Sequence, residues 1–176
     1  MYCVKCGGET SFEIISGDTI PRNICKACNH IHYVNPKIIV GALPCRDDQI
    51  LLCKRDIEPG KGKWTLPSGF MEMGESLEQG AEREAKEEAN LKLKLNKLYG
   101  TYSIPRIGQV LFIYIANILN EDFRAADETA EVKLFGISEI PWEKIAFPSV
   151  EFFLKNYRID YLNGKKFLFH SNFLAH

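Results

Sequence analysis

The sequence predicts an α/β sandwich with a mixed sheet, preceded by a small metal-binding ribbon. Three observations predict it. Apolar strand-like segments lie on both sides of a helix near the middle of the chain, an amphipathic helix follows near the end, and two cysteine pairs precede all of these. Such a mixture of elements packs as a sheet covered by helices. The 176 residues, 45% of them hydrophobic, suffice for one domain core and a small appendage.

Two cysteine pairs dominate the N-terminal segment. Cys3 and Cys6 form one C-x2-C pair, and Cys25 and Cys28 form the other. In a reducing compartment such pairs are more often metal ligands than disulfides, and four thiolates suit a closed structural zinc site. We therefore expect residues 1–35 to form a zinc ribbon whose folding energy comes from the metal, with a disulfide as the alternative. The second domain is expected to cover residues 36–176.

The rest of the chain alternates between strand-like and helical segments. A proline after Asn35 marks the domain boundary, because the residue before proline is held extended. Apolar or alternating runs predict the strands, and an apolar stripe predicts the last helix. The predicted strands are 37–45, 49–55, 91–102, 110–119, 131–135 and 166–170, the predicted helix is 148–162, and a helical turn is expected at 138–142.

A helix between Ser76 and Asn90 has clear start and stop signals. Ser76 and Gln79 fit a capping box, and Asn90 tolerates the left-handed conformation that closes a helix. Small residues such as Ala81 and Ala85 lie at i and i+4 on its packing face. The helix is therefore expected to lie close to the sheet. Glu78 is expected to face away from it.

Three carboxylates lie on one face of this helix. Glu84, Glu87 and Glu88 stand at i, i+3 and i+4. Like charges at this spacing destabilise a helix unless a cation lies among them, and hard divalent cations prefer oxygen ligands. A solvated acidic helix is the alternative interpretation.

The wider spacing resembles the motif of the Nudix hydrolase superfamily, G-x5-E-x7-R-E-U-x-E-E-x-G-U, in which U is aliphatic. The matching residues are Gly69, Glu75, Arg83, Glu84, Glu87, Glu88 and Leu91. Ala85 fills the first U position weakly, and Asn90 stands where the motif has glycine. With the ribbon, the chain is similar to a branch in which a zinc ribbon precedes an ADP-ribose or FAD pyrophosphatase. The resemblance implies an α/β/α sandwich.

The resemblance also implies an activity and roles for the motif residues. It implies hydrolysis of a nucleoside diphosphate linked to another moiety, with Mg²⁺ or Mn²⁺ as cofactor and AMP as a product. Glu84, Glu87 and Glu88 would bind the metal through their side chains, and Gly69 would bind it through its backbone carbonyl. Arg83 would pair with a second acidic residue of the motif, Glu75, and orient the metal-binding carboxylates.

The general base is not fixed by the motif. Glu84 or Glu88 can serve within the metal cluster, whereas other branches use a glutamate from a distant loop. Glu128 and Glu131 are the candidates of that second kind in this chain. A solvated loop charge is the alternative for both.

Substrate-binding residues are less well defined by the sequence. Arg55, at the end of a predicted strand, can reach a phosphate with its planar guanidinium. Tyr102 and Phe112 can form an apolar or stacking wall for a base, or can simply be core residues. The NADH pyrophosphatase branch carries an SQPWPFP-type motif after the box, whereas this chain has YSIPRI at 102–107. That difference disfavours NADH as the main substrate.

Charge and composition limit the partners. The net charge is −1, so no global basic field favours nucleic acid or an anionic membrane. No apolar run approaches the length of a membrane span, and the first residues lack a signal pattern. We expect a cytoplasmic protein with a small-molecule nucleotide substrate, and a homodimer on the general frequency of two-fold oligomers. A non-catalytic nucleotide sensor or nucleic-acid-binding ribbon protein is the alternative from another class.

Overall fold

The computed structural model describes residues 1–172, and the chain divides into two compact units. The first is Met1–Pro36 and the second begins at Lys37. The last four residues of the predicted range 36–176 lie outside the described part of the chain.

The first unit contains a small antiparallel sheet. Its strands are β1 (Thr10–Glu13), β2 (Arg22–Cys25) and β3 (Ile31–His32), in the order β1-β2-β3. The cysteine pairs lie at the ends of this sheet, in turns that follow Cys3 and Cys25. Three strands this short enclose no core of their own, as expected for a ribbon that depends on a metal.

The second unit is built on an eight-stranded mixed sheet with two α-helices. Its strands are β4 (Lys37–Arg46), β5 (Gln49–Arg55), β6 (Trp64–Thr65), β7 (Ser68–Phe70), β8 (Leu93–Ile104), β9 (Gln109–Ile118), β10 (Thr129–Gly136) and β11 (His170–Ser171). The helices are α1 (Leu77–Ala89) and α2 (Pro148–Leu162), and short 3-10 turns span Pro105–Ile107 and Trp142–Lys144.

The central strands pair in both directions. The order along the sheet is β10-β5-β4-β9-β8-β11, while β6 pairs with β5 and β7 pairs with β4. The long pairing of β4 with β9 is parallel, and the pairings of β9 with β8 and of β5 with β10 are antiparallel. This is the mixed sheet that the sequence predicted.

The two helices cover opposite faces of the sheet. One cluster of buried side chains joins α2 to the sheet and includes Leu43, Leu52 and Phe153. A smaller cluster joins α1 to the other face and includes Leu51 and Ala85. Because neighbouring residues of a strand point to opposite faces, Leu51 and Leu52 belong to different layers. The α/β/α sandwich is confirmed.

The element limits differ slightly from those predicted. β8 begins at Leu93, because Leu91 closes α1 instead, donating its backbone N–H to the Ala85 carbonyl at 3.1 Å. The last strand is shorter and later than expected, at His170–Ser171. The helical turn expected at 138–142 is a 3-10 turn that begins at Trp142.

Candidate functional site

Helix α1 lies very close to the sheet. Gly80, Ala81 and Ala85 are buried, and a Cβ on Gly80 would lie 2.6 Å from Cγ2 of Val40. The helix begins with the predicted capping box, in which Ser76 and Gln79 satisfy each other's backbone N–H groups. It ends at Asn90, which has the left-handed conformation. These local features fix how α1 is rotated about its own axis and how far it lies from the sheet. They therefore set the direction of its acidic face.

The face is organised around Arg83. Its guanidinium binds both oxygens of Glu75, with N–O distances of 2.8 and 3.0 Å. It also donates to Glu84 at 2.7 Å, to Glu87 at 3.0 Å and to the carbonyl oxygen of Phe70 at 3.1 Å. The guanidinium and the backbone N–H of Glu72 lower the pKa of Glu75 to about 2. Arg83 thus braces the acidic residues against one another and against the loop after β7.

The carboxylates of α1 differ in their surroundings. Glu88 is the most enclosed, and burial together with the negative charge of Glu84 raises its pKa to about 8. Burial also raises the pKa of Glu84, although the Arg83 guanidinium opposes the shift. Glu87 lies at the exposed edge. Glu84 and Glu88 are therefore partly enclosed between helix and sheet, whereas Glu87 is open to solvent.

Gly69 lies directly against Glu84. A Cβ built on Gly69 would lie 2.4 Å from both carboxylate oxygens of Glu84. The residue is in β7, paired opposite Val40 of β4. A side chain at this position would push the Glu84 carboxylate away. The absence of a side chain at Gly69 is therefore a requirement of the site.

A cleft of about 520 Å³ opens over this face. Its lining joins the loop before α1, the acidic face of α1, the end of β5 and the loop before β10. The lining residues are Arg55, Ser68, Gly69, Phe70, Met71, Glu72, Arg83, Glu84, Glu87, Glu88, Asp127 and Glu128. The sequence had indicated seven of these as site residues: Arg55, Gly69, Arg83, Glu84, Glu87, Glu88 and Glu128.

The loop before β10 is tied to α1 by backbone hydrogen bonds. The N–H of Ala126 donates to the carbonyl of Glu88 at 3.1 Å, and the carbonyl of Glu128 accepts from Asp56 at 2.8 Å. Asp127 has a left-handed conformation, with φ of 44°. These contacts bring Asp127 and Glu128 to the cleft. Sequence reasoning missed Asp127, and its only signal was its position in an acidic loop.

Arg55 approaches the cleft from β5. Its Nε donates to the carbonyl of Pro59 at 2.8 Å, and its guanidinium lies 5.1 Å from the ring centroid of Phe147. Both contacts hold the side chain in place and leave part of the guanidinium free to bind an anion. Arg55 thus supplies a positive charge to the same cleft, and this charge lowers the pKa of Glu88 against the larger effect of burial.

The carboxylates of this cleft are ligands of the kind that a hard divalent cation prefers, but their oxygen atoms do not form a converged ligand cluster in this structure, where Arg83 binds Glu84 and Glu87. The lining supplies carboxylate oxygens, and two of the carboxyl groups have raised pKa values because burial and mutual repulsion disfavour their charges. A bound cation would relieve both effects. Glu84, Glu87 and Glu88, with the backbone carbonyl of Gly69, are the residues that could hold it.

Four predicted residues do not line this cleft, and one of them, Glu75, contacts a lining residue, Arg83. The other three lie elsewhere. Glu131 pairs with Lys54 at 3.2 Å on the other face of the sheet. Tyr102 packs against Phe152 of α2, with ring centroids 5.2 Å apart. Phe112 lies in β9, paired with Val40 and Thr101. These three residues lie outside the cleft, and their catalytic and substrate-binding roles stay predictions.

One contact of α1 was not predicted. Glu78 is exposed, in agreement with a side chain outside the packing face, but its carboxylate also accepts a hydrogen bond from the hydroxyl of Tyr114 at 2.7 Å. Burial and this carboxylate raise the pKa of Tyr114 to about 12. The bond links the first turn of α1 to β9 and thus helps hold the helix on the sheet.

The cysteines of the first unit form a compact cluster. The sulfur atoms of Cys3, Cys6, Cys25 and Cys28 all lie within 4.8 Å of one another, the only such group of metal-ligand side chains among residues 1–172. Backbone N–H groups of Cys28 and Ala27 donate to the Cys25 sulfur and lower its pKa to about 6. Each pair is followed by a left-handed turn residue, Gly7 or Asn29. Soft thiolates in this arrangement suit tetrahedral zinc.

The described part of the chain, residues 1–172, contains no helix with the length and apolar character needed to cross a bilayer.

Comparisons with known proteins agree with this geometry. The family model described as NUDIX domain matches residues 35–154, and the model described as Nudix N-terminal, a zinc ribbon, matches residues 1–34. A crystal structure of a NUDIX hydrolase from Nitrosomonas europaea shares 47% identity over 99% of both chains, with a TM-score of 0.94.

Curated relatives carry two different names. An ADP-ribose pyrophosphatase of Methanocaldococcus jannaschii is 35% identical over 119 residues, which are 65% of this chain and 69% of that protein. An NAD-capped RNA hydrolase NudC of Photorhabdus laumondii is 30% identical over 125 residues, 70% of this chain and 46% of the relative. The chain thus spans about half the length of such NudC relatives. The resemblance predicted from the motif is confirmed: the chain belongs to the NUDIX domain family and carries the Nudix zinc ribbon at its N-terminus.

Proposed function

We propose that the chain is a metal-dependent pyrophosphohydrolase that cleaves a nucleoside diphosphate linked to another moiety, with ADP-ribose or FAD as substrate and AMP as a product. One observation carries the proposal. Glu84, Glu87 and Glu88 line a single cleft together with Gly69 and Arg55. A pyrophosphate needs both kinds of group, a cation-binding acidic face and a fixed cationic side chain.

The residues of the acidic face have different roles in this proposal. Mg²⁺ or Mn²⁺ bound there would neutralise the pyrophosphate and lower the pKa of a bound water. Glu84, Glu87 and Glu88 hold the cation through side-chain oxygens, and Gly69 offers its carbonyl oxygen. Arg83 touches Glu84 and Glu87 directly. It therefore acts as a positioning residue, with Glu75 as its partner.

Arg55 binds the substrate phosphate in this proposal. Its guanidinium is oriented by Pro59 and Phe147 before any ligand arrives, so little conformational entropy is lost on binding. Without a metal, the carboxylates of α1 would repel a phosphate. Productive binding therefore requires both the metal and Arg55.

The proton acceptor is a carboxylate of the cleft. Glu128 lines the cleft, whereas Glu131 is engaged by Lys54 on the other face of the sheet, so Glu128 is the better-placed loop candidate. Glu88 is the candidate on α1, because its carboxylate lies enclosed in the same cleft, beside the other acidic residues of the helix. Replacing each by glutamine separates the two: the base is the one whose loss removes the acidic limb of the pH–rate profile, on which the rate rises as the base loses its proton.

Sequence similarity supports the ADP-ribose part of the proposal. The relative named ADP-ribose pyrophosphatase shares 35% identity over 119 residues. A second candidate, cleavage of NAD-type dinucleotides, is favoured by the relatives named NAD-capped RNA hydrolase NudC. The YSIPRI segment at 102–107 departs from the motif of the NADH branch and supports the first candidate.

One comparison of substrates tests the proposal. AMP release is measured from ADP-ribose, FAD, NADH and a diadenosine polyphosphate, each with Mg²⁺ and with Mn²⁺. We expect the highest kcat/KM with ADP-ribose or FAD. Turnover of NADH alone would replace the first candidate by the second, and no turnover of any compound would refute both.

Two further parts of the proposal concern assembly and location. We propose a homodimer in the cytoplasm, on the general frequency of two-fold oligomers and on the reducing conditions that free thiolates require. Light scattering coupled to size-exclusion chromatography tests the first, and a monomer at micromolar concentration would contradict it.

A further inference from the structure

A second pocket lies on the face of the sheet opposite the acidic cleft. It has a volume of about 480 Å³ and is lined by three lysines, Lys54, Lys133 and Lys144, around the aromatic residues Trp64 and Phe135. Lys54 and Arg55 are neighbours on β5 and therefore point to opposite faces. Arg55 lines the acidic cleft and Lys54 lines this pocket.

The floor of the pocket is rigid. Trp64 and Phe135 are each only 6% exposed, and their rings meet edge to face with centroids 4.8 Å apart. Two ammonium groups lie over these rings, Lys54 at 5.8 Å from the Trp64 centroid and Lys133 at 5.1 Å from the Phe135 centroid. Such contacts restrict the lysine side chains before a ligand binds.

The charges of the pocket are not balanced. Glu131 neutralises Lys54 at 3.2 Å. Among residues 1–172, no carboxylate lies within 4.0 Å of the ammonium group of Lys133 or Lys144. Lys144 comes from the 3-10 turn Trp142–Lys144 and lines the same pocket as the two strand lysines. Two uncompensated cations therefore line one pocket in a chain whose net charge is −1.

We propose that this basic pocket binds a phosphate monoester dianion without a divalent metal. Lysine ammonium groups bind phosphate as point charges, and a monoester carries about −1.5 to −2 charges near pH 7. The products of the proposed hydrolysis, AMP and a second phosphate monoester, belong to this class. That identification rests on the proposed function, whereas the affinity for phosphate does not.

The loop between β5 and β6 contacts both sites. Gly62 lines the basic pocket and donates its N–H to the Arg55 carbonyl at 2.8 Å. The same loop supplies the Pro59 carbonyl that orients the Arg55 guanidinium. A phosphate in the basic pocket is thus separated from the substrate-binding arginine by one short, hydrogen-bonded loop.

Calorimetric titration without added divalent cations tests the proposal. Under these conditions the acidic cleft repels phosphate, so binding reports the basic pocket. AMP, ribose 5-phosphate and inorganic phosphate are titrated in about 0.1 M chloride, where exposed charges are largely screened. Adenosine, which lacks the phosphate, serves as the ligand control.

The matched variants carry the same change of charge at different places. Lys133→Gln/Lys144→Gln removes two pocket lysines, and Lys94→Gln/Lys155→Gln removes two exposed lysines elsewhere. Charge-assisted hydrogen bonds predict at least about tenfold weaker phosphate binding in the first variant and a change below about twofold in the second. Equal affinity in both variants, binding of adenosine as tight as that of AMP, or no binding at millimolar concentration would overturn the proposal.

Amide chemical shifts locate the bound phosphate. We expect the signals of Gly62 and Lys133 to move on titration while that of Gly69 stays in place. Movement of Gly69 instead would assign the phosphate to the acidic cleft and refute a second site. Hydrolytic activity is not measured in either experiment, so failure of the proposed function and failure of this proposal are distinguishable.

Discussion

The cysteine cluster and the acidic face of α1 differ in the type and the spacing of their candidate metal ligands. The thiols of Cys3, Cys6, Cys25 and Cys28 lie within 4.8 Å of one another and are set by tight turns. The carboxylates of Glu84, Glu87 and Glu88 are spread along a helix and braced by Arg83. The first region supplies four soft ligands, whereas the second supplies hard ligands beside a cleft.

This difference indicates different roles for the two metals. A closed set of four thiolates leaves no position for a substrate, so zinc in the ribbon stabilises structure. Helix α1 is instead capped, packed and braced by its own side chains, so we expect it to fold without a cation. A metal proposed for its acidic face could therefore bind, exchange and take part in chemistry. Substitutions in the two regions should separate folding from catalysis.

The largest effect is expected from Cys25→Ser. Zinc sites in small domains contribute apparent binding free energies of about 10 kcal/mol or more, which are also folding free energy. Loss of one thiolate should remove zinc and unfold the Met1–Pro36 unit. Metal analysis and limited proteolysis measure both effects.

The control for this substitution is Cys53→Ala, a buried cysteine of β5 outside the cluster. It should retain zinc. The tryptophans, Trp64 and Trp142, both lie in the second unit, so their fluorescence shows whether that unit still unfolds cooperatively. Full zinc content in Cys25→Ser would contradict the four-thiolate site.

Glu88→Gln is expected to abolish activity while leaving the fold intact. Loss of a metal-binding or proton-accepting carboxylate should lower kcat/KM by roughly a thousandfold. Burial raises the pKa of this carboxyl group from 4.5 to about 8 in the folded protein. Without metal, the free energy of unfolding therefore falls as the pH rises from 4.5 to about 8, because the unfolded state ionises more readily. Glutamine does not ionise, so the melting temperature of the variant near pH 9 should be at least as high as that of the native protein.

The matched control is Glu82→Gln, an exposed residue on the same helix. It removes the same charge and should keep kcat/KM within about twofold of the native value. Near-native activity in Glu88→Gln would remove this residue from the proposed site.

Gly69→Ala is expected to lower activity without much loss of stability. Its Cβ would meet the Glu84 carboxylate at 2.4 Å, but that group ends a flexible side chain and can move. If the Glu84 carboxylate is displaced by about 1 Å, kcat/KM should fall by up to about a hundredfold. The free energy of unfolding should change by less than about 1 kcal/mol.

Gly41→Ala provides the contrast. A Cβ on Gly41 would lie 2.5 Å from the backbone carbonyl of Pro67 and 2.3 Å from the Cβ of Ser68. Backbone cannot yield as a side chain does, so this variant should unfold at clearly lower denaturant concentration. Equal destabilisation by both substitutions would refute the flexible displacement of Glu84.

Local signals made much of the acidic site predictable. The limits of α1 follow from the capping box at Ser76 and the left-handed Asn90, both encoded within a few residues. The fixed spacing from Gly69 to Leu91 indicated the acidic face that lines the cleft. The cysteine spacing identified the ribbon in the same way.

Features that depend on distant pairing were not predictable. The contact of Glu78 with Tyr114 requires the register of β9 under α1. Asp127 reaches the cleft through a hydrogen bond from Ala126 to the carbonyl of Glu88, which no local pattern encodes. Tyr102 packs on Phe152 of α2, a contact between elements about fifty residues apart that no local pattern encodes.

The smallest effect is expected from Glu75→Gln, and it depends on pH. Arg83 and the Glu72 N–H lower the pKa of Glu75 from 4.5 to about 2. A depressed pKa adds stability above the unfolded-state value, and this stability is lost as pH falls towards 2. The native protein should therefore melt above Glu75→Gln at pH 6, and the difference should shrink between pH 4.5 and 2.

Tryptophan fluorescence measures this difference in the second unit alone, so loss of zinc from the ribbon in acid does not enter. Glu82→Gln corrects for the change in net charge. A difference that stays constant down to pH 2 would show that Arg83 does not stabilise the ionised form of Glu75. The brace would then act on catalysis only through Glu84 and Glu87, and Glu75→Gln should leave the metal affinity unchanged.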